Sequence, residues 1–491
     1  TFATKQFFNA GANYFTINGG TVTLAGGENT LWQGAQGGTA GQHLAIGPGA
    51  TLDLNGNSQM AGFLRSPNAT AFAGSGGIVV NNIASSTATF VSVNSENAWG
   101  GNISAGTGNI YFNKAGSGTM SLYSANTYTG GTLVSGGTLS LQDEARLSGT
   151  TAITINNAAL SLTDGGTMAN SDRINDAATI SMRGGNLSLT GRDLWNSTET
   201  VGAITLAGAQ NNLTVTAGAN GAVRSAVLSA GNLTQSNFAT LLYGNISGQM
   251  GTAGRLVIAN GSSLLVNGVI PWATDGGTFA SYVEPSAGNT AGGLASLSSA
   301  GYRGYDASVV PTAGSVTQNL RLANASFVIP SSSAGADTYD ANAIAFNTNA
   351  NNQTLSFADN ADTLNLNSGG LIVSGNFTSK TIGSAVGNGI LTSGGTRNSG
   401  IAPLYFTANQ GTVIVNSVIA DNGNGAATRF VFTPFNGMTI TFNAANTYTG
   451  GTQLNGNVSH TGTIALNLAG ANGSTSVAIP NGDLQINGAT V

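Results

Sequence analysis

The sequence predicts an all-β chain wound as a parallel β-helix, and three observations carry that expectation. Sequence-related strand blocks follow one another in the same order while the spacers between them vary, as stacked coils require. Asn and Gly crowd the turns, where identical side chains can ladder from coil to coil. Charged residues are only 7%, well below the roughly 25% of an ordinary soluble domain, yet hydrophobic residues reach 41%. Disorder would need low hydrophobicity with high net charge, and this chain has neither. A β-sandwich or propeller is the alternative that short strands with loops of mixed length leave open.

The strands are read from period-2 alternation, which puts Leu, Ile and Val on one face and Thr, Ser or Asn on the other. In chain order the clearest are Thr21-Val-Thr-Leu24, Thr51-Leu-Asp-Leu54, Thr138-Leu-Ser-Leu141, Asn186-Leu-Ser-Leu189, Ala203-Ile-Thr-Leu206, Thr412-Val-Ile-Val415 and Thr463-Ile-Ala-Leu466. Gly-Gly, Asn-Gly and Ser-Gly pairs bound them and supply positive-φ turns. The nearest approaches to a helical pattern are residues 143–147 and 291–299. Inward positions are expected to include Leu52, Leu54, Met120, Leu122, Leu139, Leu141, Ile440, Phe442, Ile464 and Leu466. At roughly 20–25 residues and about 4.8 Å per coil, the helix would extend on the order of 100 Å.

One block occurs twice without change. Ala125-Asn-Thr-Tyr-Thr-Gly-Gly-Thr132 returns as Ala445-Asn-Thr-Tyr-Thr-Gly-Gly-Thr452, 320 positions later, each copy after an alternating strand. The motif residues are Asn126, Tyr128, Gly130 and Gly131, then Asn446, Tyr448, Gly450 and Gly451. The glycine pairs are expected to form equivalent tight turns. The tyrosines read either as sugar-stacking platforms or as packing residues that close a coil corner; travelling with the whole strand-turn unit favours packing.

With Gly116-Ser-Gly-Thr-Met-Ser-Leu122 before it and Val134-Ser-Gly-Gly-Thr-Leu-Ser-Leu141 after it, the first copy resembles the autotransporter-associated β-strand repeat of bacterial surface proteins. The block at 437–452 is similar in its core, and departs from the pattern at Gln453-Leu-Asn-Gly-Asn-Val-Ser-His460. The resemblance implies a right-handed parallel β-helix that is secreted or displayed on a bacterial surface, and it implies no defined chemistry. Repeat boundaries are expected near 1–114, 115–434 and 435–491, the first and last incomplete. The start at Thr1 and the pattern persisting to Val491 suggest a removed leader or a window of a longer polypeptide.

Several function classes are disfavoured by composition. Net charge is −5 with 14 scattered basic residues, so no patch exists to neutralise phosphates and nucleic acid is not an expected partner. No apolar run is long enough to span a bilayer as a helix. Cysteine is absent, which removes thiol chemistry, Cys-ligated metals and disulfides. His43 and His460 stand alone, without metal-ligand or triad spacing.

Carboxylates pair at Asp143/Glu144, Asp172/Asp176, Asp337/Asp340 and Asp359/Asp362. Asp359 and Asp362 could set two oxygens at one corner for calcium, with solvated loop acids as the default reading. Arg173 beside Asp172 could serve a lyase, but a surface ion pair explains it equally well. Thr-x-Thr triplets such as Thr127-Tyr-Thr129 are too sparse for an ice-binding array.

No catalytic residue and no cofactor are expected. The reading is therefore an extracellular structural protein, a fibre or stalk subunit that polymerises through its ends, where Phe2, Phe7 and Phe8 form an apolar run without a cap. An adhesin that binds glycans is the alternative, and residues 272–305 are the stretch closest to an aromatic-rich exposed loop. A polysaccharide-degrading enzyme is the third.

Overall fold

The computed structural model describes residues 1–8, 14–33, 43–68, 70–93, 97–166, 168–218, 225–249, 253–286, 291–323, 325–332, 335–435, 437–457, 462–466, 479–480 and 482–487. The architecture is almost entirely β and largely parallel, with a solenoid-like course in which each turn of the chain adds a strand to each of several sheets. Among the described residues the one helical element is the 3₁₀ turn Gly261–Leu264. Neither weakly helical stretch forms a helix. Asp143 takes a positive φ of 46° ahead of the strand Arg146–Leu147, and Gly293, at φ 97°, opens the strand Gly293–Ser296.

The chain divides into two compact units. The first comprises Thr1–Leu206, Asn212–Thr234 and Gly244–Ala259; the second comprises Ala207–Asn211, Gln235–Tyr243 and Asn260–Val491.

In the first unit one sheet stacks Gln59–Ala61, Thr87–Val93, Asn109–Ala115, Thr132–Val134, Ala152–Asn156 and Thr179–Arg183 in parallel. A second stacks Asn97–Trp99, Thr119–Leu122, Thr138–Leu141, Ala159–Thr163 and Asn186–Thr190, followed by residues 212–216. Register is set by the alternation. Met120, Leu139, Leu160, Leu187 and Leu213 form one buried ladder, while Ser121, Ser140, Ser161, Ser188 and Thr214 form a hydroxyl ladder between its rungs. A one-residue slip would turn every leucine outward, so the register is strongly specified. Successive rungs of the leucine ladder advance by 19, 21, 27 and 26 residues. The longer coil from Leu160 to Leu187 carries an excursion at 164–178, so length variation leaves the stacked strands undisturbed.

The second unit repeats the scheme with longer strands. Ser315–Leu322, Thr338–Asn347, Thr363–Ser374, Ile401–Ala408, Ala427–Pro434, Thr452–Asn455 and Leu484–Asn487 pair in parallel. Phe327–Ile329, Gln353–Phe357, Ser379–Ile382, Thr412–Val415, Met438–Phe442 and Gly462–Leu466 form the companion sheet. Their inner faces share one core, in which Leu320, Ile344, Leu371, Phe406, Phe432 and Leu454 are successive rungs.

Of the expected inward residues, Leu52, Leu54, Met120, Leu122, Leu139, Leu141, Ile440 and Phe442 are fully buried. Ile464 is half-buried, and the side chain of Leu466 lies outside the described residues.

One segment breaks the parallel rule. Ile270–Thr274, Phe279–Val283 and Gly293–Ser296 form an antiparallel meander. Its first turn is an Asp-Gly type hairpin signal: the Asp275 carboxylate accepts from the N–H groups of Gly277 (2.9 Å) and Thr278 (2.7 Å), and Gly276 has φ 96°. This meander opens the aromatic-rich stretch 272–305, in which Phe279 and Tyr282 are buried while Trp272, Tyr302 and Tyr305 are half-buried.

Candidate functional site

The two octapeptides build the same corner in two places. Asn126 turns its side-chain oxygen to the N–H of Ile103 (2.9 Å), and Asn446 does the same for Ile419 (2.8 Å). Each asparagine thus satisfies a backbone donor of the preceding coil. Tyr128 and Tyr448 are both buried, and their hydroxyls bond the Oγ1 atoms of Thr132 (2.7 Å) and Thr452 (2.6 Å). Their rings tilt against Phe112 and Phe430 at centroid separations of 5.9 and 6.4 Å. Burial pushes both phenols up, Tyr448 to about 12, so each stays protonated and able to donate. Neither ring face is open to a sugar.

The glycine pair closes the corner, and its two members do different work. A Cβ on Gly130 would lie 2.5 Å from the Ile110 carbonyl oxygen, and one on Gly450 would lie 2.6 Å from that of Thr428. Gly131 and Gly451 hold φ at 98° and 87°, where an L side chain is strained. Tyr128→Phe and Tyr448→Phe should each cost about 1 kcal/mol, the worth of one net hydrogen bond. Because the surroundings match, the two costs should agree within roughly 0.5 kcal/mol in denaturant titrations. A threefold disparity would show that the two corners are not energetic equivalents.

Inside the coils lie charged groups that were not expected there. Lys114 is fully buried and donates to the carbonyls of Ala115 (2.7 Å), Gly116 (3.1 Å) and Gly136 (3.1 Å); burial lowers its pKa to about 8. Lys380 is equally buried, donates to the carbonyls of Ser374 and Phe346, and sits 4.1 Å from the Phe377 ring centroid. Burial brings its pKa down to about 7. Arg429 donates to Gly450 of the second motif (3.0 Å), pairs with Asp483 (3.2 Å) and lies over the Phe238 ring (4.9 Å). Each of these cations gives its donors to backbone carbonyls of the coils.

Arg173 is the fourth, and its environment corrects the surface-pair reading. Its guanidinium is buried and bonds Asp164 (2.8 Å), while the exposed Asp172 takes Arg146 instead (3.1 Å). Beneath it Glu199 accepts the N–H groups of Arg173 (2.7 Å) and Ile174 (2.9 Å), and burial raises its pKa to about 7. A buried acid near neutrality is often catalytic. Here both carboxylate oxygens are occupied by backbone donors, so the group fastens its own strand Ser197–Val201 to the segment at Arg173 and Ile174.

The remaining candidates disperse. Asp362 accepts from Ser331 Oγ (3.1 Å), Asp337 N–H (3.2 Å) and Asp359 N–H (2.8 Å), while Asp359 accepts from Ala361 N–H (2.9 Å). Both carboxylates take part in closing this turn, Asp362 through both oxygens and Asp359 through one. Among the described residues no three His, Cys, Asp or Glu side chains converge on a metal position. His43 stacks on Phe63 at 4.1 Å, its pKa lowered by burial and then by Arg65; His460 lies outside the described residues. Phe2 bridges to Leu24 and its ring meets Phe15 at 5.9 Å. Phe7 and Phe8 pair with Trp32 and Gln33 through the backbone, and their side chains are outside the described set.

Comparison with known proteins fits this geometry. The family model of the passenger-associated-transport-repeat matches residues 112–141 and 439–456, which are the two corners just described. The match covers a small part of the chain. The repeat is associated with secreted or cell-surface bacterial proteins and is structural, without a chemistry of its own. No curated protein and no solved structure matches the chain. Among the described residues no helix is long and apolar enough to cross a membrane.

Proposed function

We propose that this chain is a passenger-type segment of a bacterial surface protein, wound as a right-handed parallel β-helix, whose work is structural: a stalk or fibre subunit outside the cell. The observation that supports it most is the pair of like corners 320 positions apart, both within the passenger-associated-transport-repeat matches. A backbone-laddered scaffold with few charges and hydroxyl ladders along its strands suits an extended surface element better than a reaction centre. Protease shaving of intact cells of the source organism tests the location: peptides from residues 1–491 should be released while the cells stay sealed, and retention of all of them inside would reject the reading.

Self-association through the ends is the second part of the proposal. Among the described residues the strand Gln6–Phe8 pairs with Leu31–Gln33 and the strand Leu484–Asn487 ends its sheet, with Leu484 and Ile486 exposed. Such an edge is covered either by further chain or by another copy. Intact protein should form filaments in electron images and in light scattering, and deletion of residues 1–8 should shorten them. Monomers from both forms would reject end-to-end assembly and favour a separate adhesin.

A further inference from the structure

Within the second unit a cleft of about 580 Å³ combines three kinds of group that seldom meet on a scaffold surface. Its aromatic wall holds Trp272, Phe238 and Tyr405. Its polar residues include Asn237, Asn367 and Arg397, and the Asn237 amide N–H is already given to Ala207 O (3.0 Å). Among the described residues no carboxylate lines the cleft. The volume falls in the range of roughly 300–1,000 Å³ that accommodates small ligands.

The walls are held from behind. The Tyr405 hydroxyl accepts from the Gln235 amide (2.8 Å), and the Phe238 ring is backed by Arg429. Trp272 sits between buried Pro271 and Ala273 on its strand, and its indole N–H has no acceptor among the described residues. Asn367 donates to Asn342 Oδ1 (3.2 Å) and its own carbonyl oxygen accepts nothing among the described residues.

The loop that carries Arg397 is pinned at three points. Asn365 bonds both backbone groups of Gly395 (3.2 Å each), Asn424 donates to Gly395 O (2.9 Å), and Asn422 donates to Arg397 O (3.1 Å). Arg397 spends one N–H on Ile401 O (2.8 Å) and meets no carboxylate among the described residues. It is a positioned, unneutralised cation beside an aromatic face.

A sugar fits this set of groups. Its C–H face stacks on an indole, its hydroxyls need the donors and acceptors of planar amides, and a guanidinium binds a carboxylate through paired N–H groups. A lipid or other wholly apolar ligand would leave the amides and Arg397 unmatched. Among the described residues the cleft lacks the carboxyl pair that glycoside hydrolysis uses, so no hydrolytic step is assigned to it. We propose that this cleft binds, without cleaving, a saccharide that carries a carboxylate. Trp272 supplies the stacking face, and Arg397 selects for the acid.

The proposal goes beyond the scaffold role and does not depend on assembly or location. Calorimetric titration of the full chain with tri-galacturonate and with sialyllactose, against maltotriose and lactose, tests it and separates a uronic from a sialic source. Saturable binding of either acid, at least tenfold tighter than its neutral counterpart, is expected. Arg397→Ala should weaken the acid by roughly tenfold to a hundredfold and leave the weak neutral binding unchanged. Trp272→Ala should weaken both classes, and Trp272→Phe should restore part of the loss. Failure of both acids to bind overturns the proposal. So does acid binding that neither the Arg397 nor the Trp272 substitution weakens, or equal binding of neutral and acidic sugars. Both altered side chains are at least partly exposed, and an unchanged melting curve confirms that each variant is folded.

Discussion

Replacing Asp164 with alanine should destabilise the first unit by about 3–5 kcal/mol, the usual cost of removing one partner from a buried pair. The argument rests on what the substitution leaves behind. Arg173 stays buried, with Nη1 on the carbonyls of Asp143 (3.0 Å) and Ala145 (3.2 Å) and Nη2 on that of Thr163 (2.9 Å). Those acceptors satisfy hydrogen bonds but supply no net negative charge, so the guanidinium loses its directly bonded counter-ion in a low-dielectric interior and keeps only the weaker field of Glu199. Asn170 N–H also loses its acceptor (3.3 Å). The exposed pair formed by Arg146 and Asp172 is the control, because Asp172→Ala should cost less than about 1 kcal/mol. The double substitution Asp164→Leu with Arg173→Met should cost clearly less than Asp164→Ala alone, since it removes the stranded charge. Urea denaturation followed on first-unit probes reads all three. A loss below 1 kcal/mol for Asp164→Ala would mean that the guanidinium is solvated in solution and the buried pair does not form.

The parts of this molecule that repeat were legible from residues alone. The alternation in Thr138-Leu-Ser-Leu141 and Asn186-Leu-Ser-Leu189 fixes which side chains face the core, because period 2 admits one register once one face is buried. The octapeptide marked both corners, since a turn that needs a glycine against a carbonyl and a second glycine at positive φ leaves little freedom in sequence. What was not legible has two physical origins. The hairpin at Asp275-Gly276-Gly277 carried an adequate signal, but it was submerged among many Gly-rich turns that serve parallel coils. The interior charges were masked differently. Lys114 is in phase with Ile110 and Phe112, Lys380 with Ile382, and Glu199 with Val201, so alternation had already placed them inside. Which carbonyls or N–H groups they would meet depends on how adjacent coils stack, and no local pattern contains that. The cleft on the second unit gathers residues from 235 to 405, and it too exists only once the coils are laid together.

These buried charges should also shape stability against pH, with a minimum near neutrality. Glu199 is raised by burial to about 7, from an ordinary value of 4.5. Between those values the folded chain keeps a proton that the unfolded chain has released, so stability falls as pH rises from 4.5 to 7. The positive charge of Arg173 and the negative charge of Asp172 act on it in opposite directions, and burial outweighs both. Lys380 is lowered by burial to about 7 and Lys114 to about 8, from 10.5. From there up to 10.5 the unfolded chain holds the proton that the folded chain has lost, so stability rises with pH. Each window should be worth on the order of 2–3 kcal/mol, the lysine values being moderated by the carbonyls around each ammonium and, for Lys380, by the Phe346 and Phe377 rings. Glu199 and Lys114 belong to the first unit and Lys380 to the second, so separate probes should show the acid-side slope in the first unit. Half-buried His43, lowered by burial and then by Arg65, opposes that slope below 6.5. Asp337 and Asp483, held down by bonds from Ser332 and Arg429, titrate below the window. Comparison of Glu199→Gln with the parent chain isolates the glutamate: the variant should lose the fall between pH 4.5 and 7 and keep the rise above 8. Lys380→Met should flatten the rise in the second unit while leaving the first unit's curve unchanged. Melting temperatures at pH 4.5, 7 and 9.5 suffice, and a parent chain most stable at pH 7 would show that these groups reach water when charged.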